Sequence, residues 1–291
     1  MNATDVSIII VNYNTHKLLR NCLLSIIENT KRCSYEIIVV DNASTDNSRE
    51  IITEFTSVKW IQSEVNLGFG KANNIGSSEA SGKYLFFLNS DTILLNDAIS
   101  IFYDFFEENN ENEKLGAVGA YLLDLNHNDN LSYASFPSVS FEWKYLINKT
   151  LKKSDIQSKR NKEVDVVTGA DLFIKKDTFQ ISGGFDPQFF MYYEETDLQF
   201  RLKKLHKKNV IIVGPLIIHL DGGSFKHNGL SYKRFCMAQK SYNYYVKKNV
   251  SVINRLWYRF NIIILRLSVF FSDWTLKQKI EAYKIVIFNR R

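Results

Sequence analysis

Cysteine, proline and long apolar runs are all scarce in this chain, and each scarcity excludes something. Its three cysteines, Cys22, Cys33 and Cys236, stand far apart. They offer no zinc spacing and, being odd in number, no disulfide framework, so they read as small buried hydrophobes in a protein of the reducing cytoplasm. Three prolines and scattered glycines argue against low complexity. No run reaches the roughly 18 apolar residues that a bilayer-spanning helix needs. Met1–Asp5 is short and polar, and Val6–Val11 is too brief for the apolar core of a secretory leader, so no leader is expected.

What is present is an ordinary globular composition, 45% hydrophobic and 23% charged, on 291 residues, enough for one large α/β domain or one domain plus an appendage. The charge is unevenly placed. From Lys226 onward there are 14 Lys and Arg against two acids, Asp273 and Glu281, while the whole chain carries +6, so residues 1–225 are net acidic. An acidic body with a basic tail suggests an anionic partner at the C-terminal end. Nucleic acid and anionic lipid both satisfy that on charge alone. No nucleic-acid recognition motif accompanies the charge, so nucleic acid ranks last and is not expected as a partner.

The order of elements points to an α/β fold. "VSIIIVNYN" (6–14) reads as a buried strand entering a polar loop, and the next segment (15–30) has helical apolar spacing with Thr15 as its expected N-cap. "EIIVVDNASTDNS" (36–48) repeats strand, loop and helix. "VKWIQ" (58–62) is a short strand, and 66–82 is a Gly-bearing loop with a helix that stops at Gly82. "KYLFFLNSDTILL" (83–95) is another buried strand, followed by a helix from about Asn96 to Asn109. Such alternation builds a mostly parallel sheet with flanking helices and right-handed crossovers. Residues 124–162 are a polar excursion, and 164–179 resumes apolar structure. Residues 182–205 run from a Gly-rich turn through an aromatic loop into a helix, and 210–224 hold two apolar runs, the second ending at His219. From about Leu230 the pattern is helical.

Two phosphate-binding motifs fail on inspection. Gly70-Lys71 lacks the preceding glycine and following Ser or Thr of a Walker A loop. Gly68-x-Gly70 follows the third strand instead of the first and lacks the third glycine of a dinucleotide fingerprint. What remains is a flexible loop at a helix N-terminus, a general anion site or a plain connection. Polar groups at strand ends carry more. Asp91 and Asp41 end apolar strands, His219 leaves one, and Glu194-Glu195 sits at a loop–helix junction. Each has a bland reading as a turn, cap, solvent-facing or satisfied core residue. Together they would meet at the carboxyl edge of a parallel sheet, where ligands bind. An Asp and a His near a diphosphate suit Mg²⁺ or Mn²⁺, and a separate carboxylate suits a general base.

"VSIIIVNYN", "EIIVVDNASTDNS", "NLGFGKANNIG", "YLFFLNSDT", "GGFDPQFFMYYEETDLQFR" and "IIHLDGGS", in this order, resemble the inverting GT-A glycosyltransferases of family 2, and within it the rhamnosyltransferase-like branch that builds bacterial surface polysaccharides. The resemblance covers roughly 5–225. It implies a GT-A (Rossmann-like) domain over 1–225 and a basic helical C-terminal extension over 226–291. It implies that Val11, Asn12, Asn14 and Asp41 hold the base and ribose of the nucleotide, and that Asn66, Gly68 and Lys71 lie near it and its phosphates. Asp91 matches the last acid of a DxD-type metal motif, although Asn89 and Ser90 precede it, so metal binding would lean on Asp91, His219 and diphosphate oxygens. Glu195 matches the base position, where the family usually has aspartate, with Glu194 and Asp197 as fallbacks. The implied cofactor is Mn²⁺ or Mg²⁺. The implied donor is dTDP-rhamnose first and a UDP-hexose next, and the acceptor is a saccharide or a lipid-linked oligosaccharide. A non-catalytic nucleotide- or glycan-binding protein of the same fold is the alternative. A glycosidase is disfavoured because adjacent carboxylates rarely face each other across a bond.

"RLWYRFNIIILRLSVFF" (255–271) is too short and too charged to span a membrane but suits an interfacial amphipathic helix. The expectation is a tail that packs on the catalytic domain and docks it peripherally on the inner face of the cytoplasmic membrane, with Lys247, Lys248, Arg255 and Arg259 facing lipid. Burial of the same residues against the domain, or by a homo-oligomeric partner, is the competing reading.

Overall fold

The structure, a computed structural model, describes residues 4–109, 114–140, 143, 160–220 and 231–288. Most of the sequence-expected excursion after residue 143, the Gly222-Gly223 pair of "IIHLDGGS", the 225/226 domain boundary, and the basic residues Lys226, Arg290 and Arg291 lie outside the described residues.

An eight-stranded mixed sheet forms the centre, in the order β3-β2-β1-β4-β10-β6-β11-β8. β1 (Val6–Asn12), β2 (Tyr35–Asp41), β3 (Val58–Gln62) and β4 (Tyr84–Asn89) are mutually parallel. β1, β2 and β4 are apolar at most positions because both their faces are covered, whereas the edge strand β3 exposes Lys59 and Gln62. Ile8 and Ile10 face one core and Ile9 the other; Phe86 and Leu88 likewise oppose Leu85 and Phe87. α1 (His16–Asn29) and α4 (Ala98–Glu108) cover the first face with residues such as Leu23, Ile26, Phe102 and Phe106. α3 (Phe69–Ser78) covers part of the second with Ala72.

The expected alternation holds, with local departures. The polar loop after β2 leads to a short 3-10 turn, Asn47–Glu50, and one helical turn, α2 (Ile51–Glu54). α3 ends at Ser78, short of Gly82. Thr15 precedes α1, but its hydroxyl makes no cap bond and is spent on Asn12 and Ser90. β5 (Thr92–Leu94) intervenes before α4 and later pairs with β12 (Ile217–His219). The middle of the chain adds β6 (Leu115–Ala120), β7 (Tyr133–Ala134), β8 (Lys162–Val164) and β9 (Val166–Val167). β10 (Asp171–Lys175) lies antiparallel between β4 and β6. α5 (Lys176–Ile181), α6 (Glu194–Lys204) and β11 (Lys208–Ile212) follow, and Leu198 and Leu202 of α6 complete the second core.

The C-terminal region is helical: α7 (Tyr232–Asn249), α8 (Val252–Leu265), a 3-10 turn over Arg266–Phe271, and α9 (Leu276–Phe288). It shares a third apolar core with Phe189 of the aromatic loop. Polar ties reinforce the docking: Ser241 Oγ donates to the Met191 carbonyl at 2.7 Å, and Trp143 Nε1 to Asn261 Oδ1 at 2.7 Å.

Cys22 and Cys33 are buried in the first core, and burial pushes the Cys22 thiol up to about 12, which keeps it inert. Asp171 is a second buried titratable group. Its Oδ2 accepts the Ala120 N–H at 2.6 Å, Oδ1 finds no partner among the described residues, and burial holds the carboxyl well above the usual range. Unfolding returns Asp171 to an ordinary carboxylate, so at pH values between its unfolded and folded titrations it releases a proton on unfolding. Its contribution to stability is therefore greatest at acid pH and falls as pH rises toward the folded value. Asp171→Asn keeps an acceptor without the proton, and its urea midpoint should fall less than the wild type's between about pH 5 and pH 8. Parallel midpoint–pH curves would show that Asp171 carries no such linkage.

Candidate active site

The sheet register assembles the site. It sets Asn12 beside Asp41 and Val11 beside Asn89, so β1, β2 and β4 end at one edge. β10 runs the other way, with Asp171 opposite Leu88, which brings the preceding Thr168–Ala170 to the same edge. A cleft of about 320 Å³ opens there. Its lining includes Val11, Asp91, Glu194, Glu195 and His219, five of the residues expected from the sequence.

The other nucleotide candidates lie behind or beside the cleft. Asn12 is fully buried and donates from Nδ2 to Asp41 Oδ1 at 2.7 Å and to Ser44 Oγ at 3.0 Å. Asp41 is 1% exposed, and its Oδ2 accepts from the Ser44 N–H at 2.9 Å and Gln62 Nε2 at 2.7 Å. Asn14, in the left-handed region with φ 55°, accepts from the Thr45 N–H at 2.7 Å. Asn12 Oδ1 accepts from the Thr15 hydroxyl, which lies 2.9 Å from Ser90 Oγ. A continuous relay thus runs from Asp41 through Asn12 and Thr15 to the residue before Asp91.

Asn66, Gly68 and Lys71 do not line the cleft. Asn66 Oδ1 accepts the Gly68 N–H at 2.9 Å, and the Gly68 carbonyl accepts from Asn42 Nδ2 at 3.1 Å. Gly68 has φ 81°, and a Cβ there would sit 2.0 Å from the Phe190 carbonyl oxygen. Packing of this loop against Phe190 accounts for the glycine. Lys71 is exposed in the first turn of α3.

Asp91 and His219 are brought together by the β5–β12 ribbon, which pairs His219 with Thr92. His219 Nε2 lies 3.3 Å from Asp91 Oδ1 and 3.3 Å from Asn89 Nδ2, and the Leu220 N–H donates to the Asp91 carbonyl at 3.0 Å. A carboxylate and an imidazole this close, both largely shielded, are a donor set that fits a divalent cation. Among the described residues no group of three or more such side chains occurs, so remaining ligand positions would fall to oxygens of the substrate or water.

Glu194 and Glu195 open α6. The two residues before it, Tyr192 and Tyr193, are both left-handed at φ 70° and 68°, a strain that non-glycine residues hold only where surroundings enforce it. Glu194 is 4% exposed, and its Oε2 has no hydrogen-bond partner among the described residues. Burial first, and then the charge of Glu195, hold the Glu194 carboxyl well above its usual range. Burial also raises Glu195, opposed by its own N–H and that of Thr196 at the helix start. Glu195 is half-buried and reaches the cleft. Asp197 does not. It is fully buried and bonded to Arg201 Nε at 2.9 Å, Lys248 Nζ at 2.8 Å and Asn249 Nδ2 at 2.9 Å. Both its oxygens are committed to holding helices together, away from the cleft.

Sequence reasoning missed Arg234, which enters the cleft from the first turn of α7, where the Ser231 hydroxyl accepts the Arg234 N–H at 3.2 Å. Burial raises the proton affinity of the Tyr192 hydroxyl, and the nearby Arg234 guanidinium opposes that rise. The only sequence signal was one cation among many in the basic tail. Thr168, which carried no recognisable motif, also lines the cleft, as does Met191, which lies within "GGFDPQFFMYYEETDLQFR" but was not singled out there.

Comparison with known proteins agrees with this geometry. The sequence pattern of Glycosyl transferase family 2 matches residues 7–179. A poly(ribitol-phosphate) beta-glucosyltransferase of Bacillus spizizenii is 35% identical over 119 residues, covering 39% of this chain and 19% of the relative. The chain spans only 19–38% of the length of such curated relatives. In fold it is similar to S. aureus TarS (TM-score 0.56, 13% identity, 99% of this chain and 55% of that one). It is also similar to GalNAc-T7, solved with UDP, GalNAc and Mn2+ (TM-score 0.63, 15% identity, 99% and 56%). Since the family pattern spans more than half of the sequence, the chain belongs to glycosyl transferase family 2.

Proposed function

We propose that this chain transfers a sugar, with inversion, from a nucleoside diphosphate donor to a saccharide or lipid-linked acceptor in bacterial surface polysaccharide synthesis. The observation that carries this reading is one cleft lined by both the Asp91–His219 pair and Glu195. A merely binding protein of this fold would not need a carboxylate with a raised affinity for protons beside a cation-type donor pair. dTDP-rhamnose is the first donor to test, by the resemblance of the motifs, and a UDP-hexose the second. The glucosyltransferase among the relatives supports the second.

The residues divide the work. Glu195 takes the proton from the acceptor hydroxyl as its oxygen attacks the anomeric carbon, while the bond from that carbon to the diphosphate breaks on the opposite face. Burial raises the proton affinity of Glu194 further than that of Glu195, which favours Glu195 as the carrier of the pair's negative charge. A proton affinity raised by burial places Glu195 nearer the working pH of a base. Arg234 brings positive charge to the cleft, where a leaving diphosphate needs it. When bound by Asp91 and His219, Mn²⁺ or Mg²⁺ supplies Lewis-acid stabilisation of that leaving group.

Glu195→Gln should retain nucleotide affinity by calorimetry and lose transfer by about 10²–10⁴-fold in a mass-spectrometric donor panel. A fully active Glu195→Gln protein would move the base to Glu194. His219→Ala should abolish the strengthening of UDP or dTDP binding by Mn²⁺ while leaving thermal stability close to wild type. Lost stability with unchanged metal dependence would make His219 a core residue. Arg234→Ala should weaken nucleoside diphosphate binding more than nucleoside binding, with partial recovery in Arg234→Lys, and equal weakening of both would remove the diphosphate contact.

A further inference from the structure

α8 and the 3-10 turn after it have two apolar faces, and only one is covered by the described residues. Ile262, Leu265 and Val269 face the third core. On the outer side Ile253 is 85% exposed, Leu256 73%, Trp257 58%, Phe260 58% and Phe271 90%. The spacing 253, 256, 257, 260 and 264 follows one helix face, and the Trp257 and Phe260 rings stack with centroids 6.4 Å apart. Soluble surfaces rarely leave such a stripe of large side chains to water.

We infer that this face docks the protein in the plane of an anionic lipid bilayer surface. Charge selects that occupant. Between Ser231 and Ser272 there are eight Lys and Arg and no Asp or Glu, and six remain once Arg234, which enters the cleft, and Lys248, paired with Asp186 and Asp197, are set aside. A two-fold contact with a second copy would set this acid-free, cationic segment against itself. Anionic headgroups complement it, with aromatic and aliphatic side chains entering the acyl boundary beneath them. Fourteen residues of α8 reach only about 21 Å, and no helix among the described residues is long and apolar enough to cross a membrane, so the helix lies flat. The structure also reduces the set of lipid-facing cations expected from the sequence. Lys248 is held by Asp186 at 2.6 Å and Asp197 at 2.8 Å, and Arg255 Nε donates to the Val250 carbonyl at 2.7 Å. Arg259 is exposed beside that stripe, although its guanidinium also bonds the Ile287 carbonyl of α9.

This inference stands apart from the proposed sugar transfer, and its test needs no donor. The full chain is floated with vesicles of phosphatidylcholine alone and with vesicles containing about a third phosphatidylglycerol at low salt. Partitioning should be about tenfold greater on the anionic vesicles. It should fall about tenfold in Trp257→Ser/Phe260→Ser, with circular dichroism and thermal melting unchanged because both side chains are exposed. Brominated acyl chains should quench wild-type fluorescence and lose most of that effect in Trp257→Phe. Absence of flotation with anionic vesicles, or flotation unaltered by the double substitution, overturns the inference. So does a vesicle-free dimer that the same substitution dissociates, which would assign the face to a second copy.

Discussion

The fully buried carboxylate of Asp197 is the constraint on which the site's geometry depends. A charge removed from water must be matched by partners, and losing one partner of such a group costs about 3–5 kcal/mol. Asp197 has three: Arg201 on its own helix, and Lys248 and Asn249 at the end of α7. Arg201 also donates to the carbonyls of Ser182 and Gly184, so the turn before the aromatic loop is held by the same knot. Lys248 bridges on to Asp186 within that loop. The helix that starts with Glu194 and Glu195 and the helix that carries Arg234 are therefore fixed relative to each other by one ionic cluster. The C-terminal helices complete the cleft as well as adding surface to the domain.

Much of this was legible in the sequence because the physics is local. Runs such as "VSIIIV" and "YLFFL" fix strands buried on both faces, and acids or a histidine at their ends fall at the sheet edge once the strands are parallel. Asp91 and His219 did meet at that edge, but the antiparallel β5–β12 ribbon, which no sequence pattern announced, is what joins them. What was not legible depends on long-range pairing. The antiparallel insertion of β10 carries no distinguishing pattern, yet it delivers Thr168 to the cleft. Arg234 is one cation in a basic tail until α7 is docked. Asp197 differs from Glu195 in sequence by two positions, and only the arrival of Lys248 and Asn249 shows that one is a brace while the other reaches the cleft. Gly68, which the motif placed near phosphates, answers instead to the carbonyl of Phe190.

The relay from Asp41 through Asn12 and Thr15 to Ser90 has a consequence for how ligands communicate. Its members come from three strands' ends, and each hydrogen bond consumes a group that could otherwise turn toward water. A nucleobase seated over the β1 and β2 ends and a cation seated at Asp91 would thus press on opposite ends of one rigid rod. Rigidity paid once need not be paid again, so each ligand should lower the entropic cost of the other, and by reciprocity the coupling has the same size in either order of addition. On the proposed donor site, that line of four small polar side chains would couple the two halves of the donor.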